Sequence, residues 1–297
     1  MRKKKFDIED VFSQNGNIAF LDAEFNAGMD YKRGENISEI ISIGLIICDS
    51  QFNGLKKYYS LVSGISNNPV FPMITRMTGI TTKMLEGQPD FMEVSKQVSE
   101  LVKRYNVTKI FTWGAADKHS LQWEKSEYKR KRLPGYQQSS KWNYIDLCTD
   151  ISGVVSSQIL GIKGGLSINM ENLMFVCNIN KKQEHNALSD AYYLYKCIKF
   201  LREKHMFPDD SDEFGQKKEL VNRYYQEKSL YNSFRRFKST SKGNDLYGKW
   251  DETDASSDMR IKALEDDIRF LKGEIAYDSE FYTIQEYFGK NKNSDCQ

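Results

Sequence analysis

Runs and alternations of apolar side chains divide the first two-thirds of the chain into short elements. "IAFLDAEF" (18–25) reads as a strand that begins apolar and then carries two acids. "EIISIGLIICD" (39–49) and "LKKYYSLVSG" (55–64) are rich in β-branched and aromatic residues and end in turn formers. Only "SQFNG" lies between them, which predicts a hairpin. "FMEVSKQVSELVKRY" (91–105) places Val94, Val98, Leu101, Val102 and Tyr105 at helical spacing. "VTKIFTW" (107–113) reads as a strand, and "DKHSLQWEKSEYKRKR" (117–132) as a helix ending before "LPG". "WNYIDLC" (142–148) is predicted as the fifth strand. "SINMENLMFVC" (167–177) and "SDAYYLYKCIKFLREK" (189–204) are predicted as helices. A hairpin start followed by strand–helix alternation predicts an α/β fold, a mixed five-stranded sheet with helices packed on it.

The pattern changes near residue 205. "FPDDSDEFGQKKE" is charged and turn-rich, and the rest alternates charged helical stretches with polar breaks such as "KSTSKGND" and "DETDASSD". The expected division is a first domain over 1–205 and a mainly helical extension over 206–297. In the extension Ile261, Leu264, Ile268, Leu271 and Ile275 form an apolar series at helical spacing, about two heptads long and too short for a coiled coil. Aromatics stand at Tyr224, Tyr225, Tyr231, Phe234 and Phe237. Such a stripe must bury against something: its own domain, a second copy in a homodimer, or another protein.

Composition adds bounds. The chain has 297 residues, 39% hydrophobic and 28% charged, enough for a sizeable core. Its net charge of +2 says little about partners, so a nucleic-acid surface has to be sought in local patches. Five cysteines without a C-x-x-C pair read as reduced thiols of a cytosolic protein. No stretch approaches the ~18 apolar residues of a membrane span, and the basic start "MRKKKFDIED" lacks the apolar core of a signal peptide. The expectation is a cytoplasmic protein without a membrane partner.

Asp22 and Glu24 are two residues apart on a strand and therefore share a face. Like charges in a partly buried place repel and are costly to desolvate. Asp117 follows the strand "KIFTW", and Asp190 opens a predicted helix. Four carboxylates together become favourable around divalent cations, which prefer oxygen ligands. His185 stands five residues before Asp190, the wrong spacing for one helix face, which puts it on the loop entering that helix. Imidazole ordinarily titrates near neutral pH and suits proton abstraction from water. Each residue also has a plainer reading: Asp117 as an N-cap, Asp190 as a first-turn acid, His185 as a structural histidine.

The joint order of these residues resembles the DEDDh 3′→5′ exonucleases, the superfamily of polymerase proofreading subunits, oligoribonuclease and ribonuclease T. "LDAEF" matches the first motif, and "EIISIG" resembles the family's second strand. "MTGIT" (77–81) resembles its threonine–glycine–isoleucine turn, and "FTWGAADKHSL" its second acidic motif. "HNALSDA" matches the His-x-Ala-x-x-Asp-Ala pattern in full. The resemblance covers roughly residues 15–204, and the "WG…D" form is nearest the RNA-trimming and sporulation-inhibitor-like subgroup. In place of a frequent threonine after the first glutamate stand Phe25 and Asn26, and a polar segment (28–38) separates the first motif from the second strand.

The resemblance implies a ribonuclease H-like fold and a two-metal hydrolase using Mg²⁺ or Mn²⁺. Asp22 would bridge both ions, Glu24 and Asp190 complete the first, and Asp117 hold the second. His185 would be the general base, and Phe25 and Asn26 would meet the terminal nucleotide. The expected partner is single-stranded RNA or DNA, cut to nucleoside 5′-monophosphates. "KSEYKRKRLPGYQQSSKWNY" (125–144) interleaves cations, Lys129 and Arg130 among them, with aromatics, a composition suited to single strands. Its plain alternative is a solvated helix face. "SFRRFK" (233–238) is a weaker basic candidate. Two other functions remain open: an inactive exonuclease-fold regulator, and a proofreading domain docked to a polymerase by its tail.

Overall fold

The computed structural model describes residues 6–30, 34–65, 68–138, 141–163, 165–179, 185–207 and 213–238, and seven positions between 261 and 269. Side chains of residues 30 and 230–238 lie outside the described set. The strands are β1 (Asn17–Asp30), β2 (Glu35–Cys48), β3 (Gly54–Leu61), β4 (Val107–Thr112) and β5 (Cys148–Asp150). The helices are α1 (Glu9–Phe12), α2 (Pro72–Thr78), α3 (Thr82–Leu85), α4 (Phe91–Arg104), α5 (Ala116–Arg130), α6 (Asn143–Leu147), α7 (Ser152–Gln158), α8 (Met170–Val176), α9 (Ala187–Met206) and α10 (Glu213–Lys238). No described helix is long and apolar enough to cross a membrane.

The sheet order is β3-β2-β1-β4-β5. β1, β2 and β3 pair antiparallel, while β4 and β5 join in parallel. This is the expected mixed five-stranded sheet. Alternation along β1 sends Ala19, Leu21 and Ala23 into a core shared with Phe91, Val94 and Val98 of α4 and Leu121 of α5. Phe20 faces the other way, 5.8 Å from the Tyr195 ring on α9. Asp22 and Glu24 continue on the Phe20 side.

A register shift follows Glu24. Glu24 pairs with Ser42 and Phe25 with Ile40, so Ile41 bulges out of the β1–β2 ladder. Its side chain forms a small apolar cluster with Val70, Ile74, Ile80 and Leu85. The bulge thereby anchors α2 beside the acids. Ile40, at the same irregularity, donates its N–H to Glu124 Oε1 of α5 at 2.8 Å. Glu124 is fully buried, and desolvation holds its carboxyl well above the usual range.

Two expectations are corrected. Residues 143–147 form helix α6, and the fifth strand is only 148–150. Trp142, Tyr144 and Ile145 are all buried, a one-turn helical grouping that a strand with one face buried would not give. The polar segment 28–38 is not a spacer either, since β1 runs to Asp30 and β2 begins at Glu35.

The chain forms two compact units, residues 1–155 with 181–206, and residues 156–180 with 207–297. The sheet belongs to the first. The second takes in 156–180, which the sequence pattern assigns to the first domain. Inside it, Asn169 N–H donates to Tyr225 Oη at 3.0 Å, and Lys217 Nζ donates to Asn178 Oδ1 at 2.8 Å. These bonds tie α8 and its flanks to α10. Leu264 and Ile268 of the apolar series are buried, and Tyr224 Oη donates to Glu265 between them. Leu271, Ile275 and the side chains of Tyr231, Phe234, Phe237 and the basic 233–238 stretch lie outside the described residues. The four described cysteines, Cys48, Cys148, Cys177 and Cys197, are buried and form no disulfide among the described residues.

Candidate active site

All five chemistry-bearing residues named from the sequence line one pocket of about 210 Å³ in the first unit. Asp22 and Glu24 reach it from β1. β4 pairs with β1 only as far as Phe20, so the backbone of β1 continues beyond its neighbour. The N–H of Ala23, beyond the reach of β4, donates instead to Asp117 Oδ1 at 2.9 Å. Asp117 is thus a first-turn residue of α5 bonded across to β1, not its N-cap, which is Ala115. Asp150 at the end of β5 supports the same loop, accepting from Gly114 N–H at 2.9 Å and Ser152 N–H at 2.8 Å.

α9 brings the other two. Asn186 starts the helix, its Oδ1 accepting from Ser189 N–H at 3.2 Å and its carbonyl from Asp190 N–H at 2.9 Å. His185 lies on the entering loop, as its spacing predicts, with a left-handed φ of 47°. That backbone region is uncommon outside glycine, although histidine, asparagine and aspartate enter it most. One ligand atom each from Glu24, His185 and Asp190 lie within 4.8 Å of one another.

The electrostatics are those of crowded acids. Burial, then the charges of Asp117, Asp190 and Glu24, push the Asp22 carboxyl well above its ordinary range. Burial and Asp190 raise Glu24 to about 7. Burial raises Asp117 to about 7 as well, against the lowering effect of the Ala23 N–H. Such a set is strained without cations, and its all-oxygen carboxylate donors with one imidazole suit a hard divalent ion.

Phe25 is half-buried in the pocket wall, beside Ile74, Met77 and Thr78 of α2. These α2 residues carried a sequence signal, since Met77 and Thr78 begin "MTGIT". Tyr59 on β3 carried none. Burial holds its hydroxyl above the usual range, and the nearby charge of Glu24 adds to this.

The proposed nucleotide contacts fare differently. Asn26 is buried and turns its amide to the chain: Nδ2 donates to Pro69 O at 3.2 Å, and Oδ1 accepts from Phe71 N–H at 2.9 Å. It holds the approach to α2 and does not line the pocket. Lys129 and Arg130 are exposed at the far end of α5, about 18 Å along the axis from Asp117. Arg130 is engaged by Glu127 through Nε at 2.7 Å and Nη2 at 2.6 Å. The neighbouring aromatics do not form a surface platform. Tyr128, Trp142 and Tyr144 are buried, with Trp142 stacked 5.8 Å from Phe91.

A family model described as Exonuclease, of the RNase T type, matches residues 20–198. The chain belongs to this exonuclease family. The matched segment contains every residue of the pocket, and the family membership agrees with the DEDDh resemblance of its motifs. A 3′-exonuclease solved in specific recognition of the 3′ end of histone mRNA stem-loop is 14% identical, with a TM-score of 0.51 and 68% of each chain covered. The nuclease domain of 3′hExo, a DEDDh family member bound to rAMP, is 15% identical over 63% of this chain and 92% of that one, with a TM-score of 0.44. Escherichia coli exonuclease I with a dT13 oligonucleotide is 17% identical over 65% of this chain and 43% of that one, with a TM-score of 0.46. The likeness to the first of these is one of fold. No curated protein sequence matches the chain.

Proposed function

We propose that this exonuclease-family protein is a metal-dependent 3′→5′ exonuclease that releases nucleoside 5′-monophosphates from single-stranded RNA or DNA. The observation that carries the reading is the convergence of four mutually repelling carboxylates and one histidine on a single pocket. The order of the motifs supports the direction. RNA is the first substrate to try, because the fold neighbour solved with a stem-loop engages an RNA 3′ end.

Asp22, Glu24, Asp117 and Asp190 are the residues that would hold two divalent ions, Mg²⁺ or Mn²⁺. Bound there, the ions would neutralise the acids, lower the pKa of a water and stabilise the leaving oxygen. His185 sits where its ring can accept the proton of the attacking water. That water adds to the terminal phosphorus, and the 3′ oxygen of the preceding nucleotide departs. Phe25 offers a ring face to the terminal base. Functionally, residues 1–205 are the exonuclease domain, since all five residues precede 191. The stretch 206–297, whose described part includes helix α10, is an extension carrying none of them.

The acid cluster tests the reading without any substrate. Glu24 and Asp117 have folded pKa values near 7, against ordinary values of 4.5 and 3.8. Well below pH 4 both states are protonated and nothing is lost. As pH rises toward 7 the unfolded chain ionises first, so stability falls. In EDTA, melting should therefore drop between pH 4 and 7, by a few kcal/mol in order of magnitude. Glu24→Gln and Asp117→Asn should each make the drop shallower. Mn²⁺ should raise melting far more at pH 8 than at pH 5, because its ligands must be deprotonated. Melting that ignores Mn²⁺ at pH 8 would contradict a metal site here.

A further inference from the structure

A nuclease working through this pocket needs His185 and Asp190 held at a set height over Asp22 and Glu24. β2 carries a glycine at the position that controls this. Gly44 pairs with Asp22 across the β1–β2 ladder. A Cβ on Gly44 would lie 2.1 Å from the carbonyl oxygen of Ala187, 2.2 Å from its carbon and 2.4 Å from the nitrogen of Leu188. Those are backbone atoms of the first turn of α9, so no flexible side chain can yield. The φ of Gly44 is not left-handed, so any residue could adopt its backbone. The glycine is there for closeness. The bare strand touches the bare helix between His185 and Asp190.

Resting on the nuclease reading, we propose that Gly44 is a positioning residue of the active site: the backbone of β2 at this point is the seat of α9, and its height sets His185 and Asp190 over the β1 acids. The seat acts on the ligand and base geometry, and Gly44 itself does not line the pocket. A methyl group there must lift the helix start by about 1.3 Å or more to reach ordinary contact. Misplacement on that scale costs about 10²-fold in a reacting geometry.

The test is Gly44→Ala in the full chain, with folding followed by circular dichroism and melting. Two quantities are then measured. Mn²⁺ affinity, read by calorimetry or spin resonance, should weaken by about 10–100-fold, as when groups that orient ligands are lost. Turnover of a short oligonucleotide should fall about 10²-fold in kcat with KM little changed. A merely structural glycine would lower melting and leave both values intact in the folded fraction. Asn186→Ala is the second variant. It removes the cap on Ser189 N–H and loosens the same first turn without placing an atom in the contact. It should move Mn²⁺ affinity and kcat in the same direction by a smaller factor.

If Gly44→Ala folds with wild-type Mn²⁺ affinity and kcat, the proposal is overturned. If it does not fold, wild-type values in Asn186→Ala overturn it. A wild-type protein that binds Mn²⁺ yet cuts neither RNA nor DNA would sink the nuclease reading alone, and the Mn²⁺ affinities of the variants would still decide the seat. A wild-type protein that binds no Mn²⁺ would overturn both.

Discussion

Asparagine in place of Asp22 or Asp190 is expected to lower nuclease turnover by about 10³-fold or more while leaving the protein folded. Losing one preorganised stabiliser of developing charge costs about 10²–10³-fold, and a central ligand loses metal as well. The sign of the stability change is opposite to that of most buried substitutions. Asp22 is crowded by Asp117, Asp190 and Glu24, and its charge is disfavoured by burial. Asparagine removes that charge in nearly the same volume. In EDTA at pH 8 the Asp22→Asn protein should therefore melt a few degrees above wild type, in the range of roughly 0.5–2 kcal/mol. In excess Mn²⁺ the order should reverse, because only the wild type gains full binding energy. Wild-type turnover in either variant would remove these residues from the chemistry. A variant that melts lower in EDTA would show that the carboxylate is a structural partner.

His185→Ala should slow single turnover by about 10²–10⁴-fold, the range for a lost general base. The ring lies on a loop just ahead of Asn186, and the helix start does not depend on it. Circular dichroism should therefore be unchanged. The decisive readout is the single-turnover rate and its pH profile at saturating Mn²⁺, both of which should depart from wild type. Mn²⁺ affinity separates two roles for the imidazole, since one of its nitrogens lies in the same 4.8 Å group as Glu24 and Asp190 oxygens. A base leaves affinity nearly unchanged when removed, whereas a ligand does not. A variant with the wild-type rate and profile would make His185 structural.

The acids and the histidine were legible because each sits in a local pattern with a physical meaning. Asp22 and Glu24 share a strand face by period two, and the spacing of five from His185 to Asp190 excludes one helix face. Elements defined only by burial were harder to read. The apolar run 142–148 fits a buried helical turn as well as a strand, and packing against Phe91 decides it. Tyr128 and Trp142 look like a base-stacking surface beside lysines, yet they are core. Asn26 follows the first motif directly, but the bulge at Ile41 brings α2 close and turns its amide to Pro69 and Phe71. No local pattern marks a bulge of this kind. Gly44 was visible as a residue, but its contact with Ala187 joins positions 143 residues apart and exists only in the fold.

One time course distinguishes directional, metal-dependent removal of terminal nucleotides from other cleavage. Matched single-stranded RNA and DNA, labelled at the 5′ end, are incubated with the full chain in Mg²⁺, in Mn²⁺ and in EDTA, alongside a covalently closed single-stranded circle. A ladder of labelled products shortening one nucleotide at a time is expected on at least one of the two linear strands. The released product should be 5′-monophosphates, with silence in EDTA and an intact circle. Label released first as a mononucleotide, or rapid cutting of the circle, would contradict the 3′→5′ exonuclease reading.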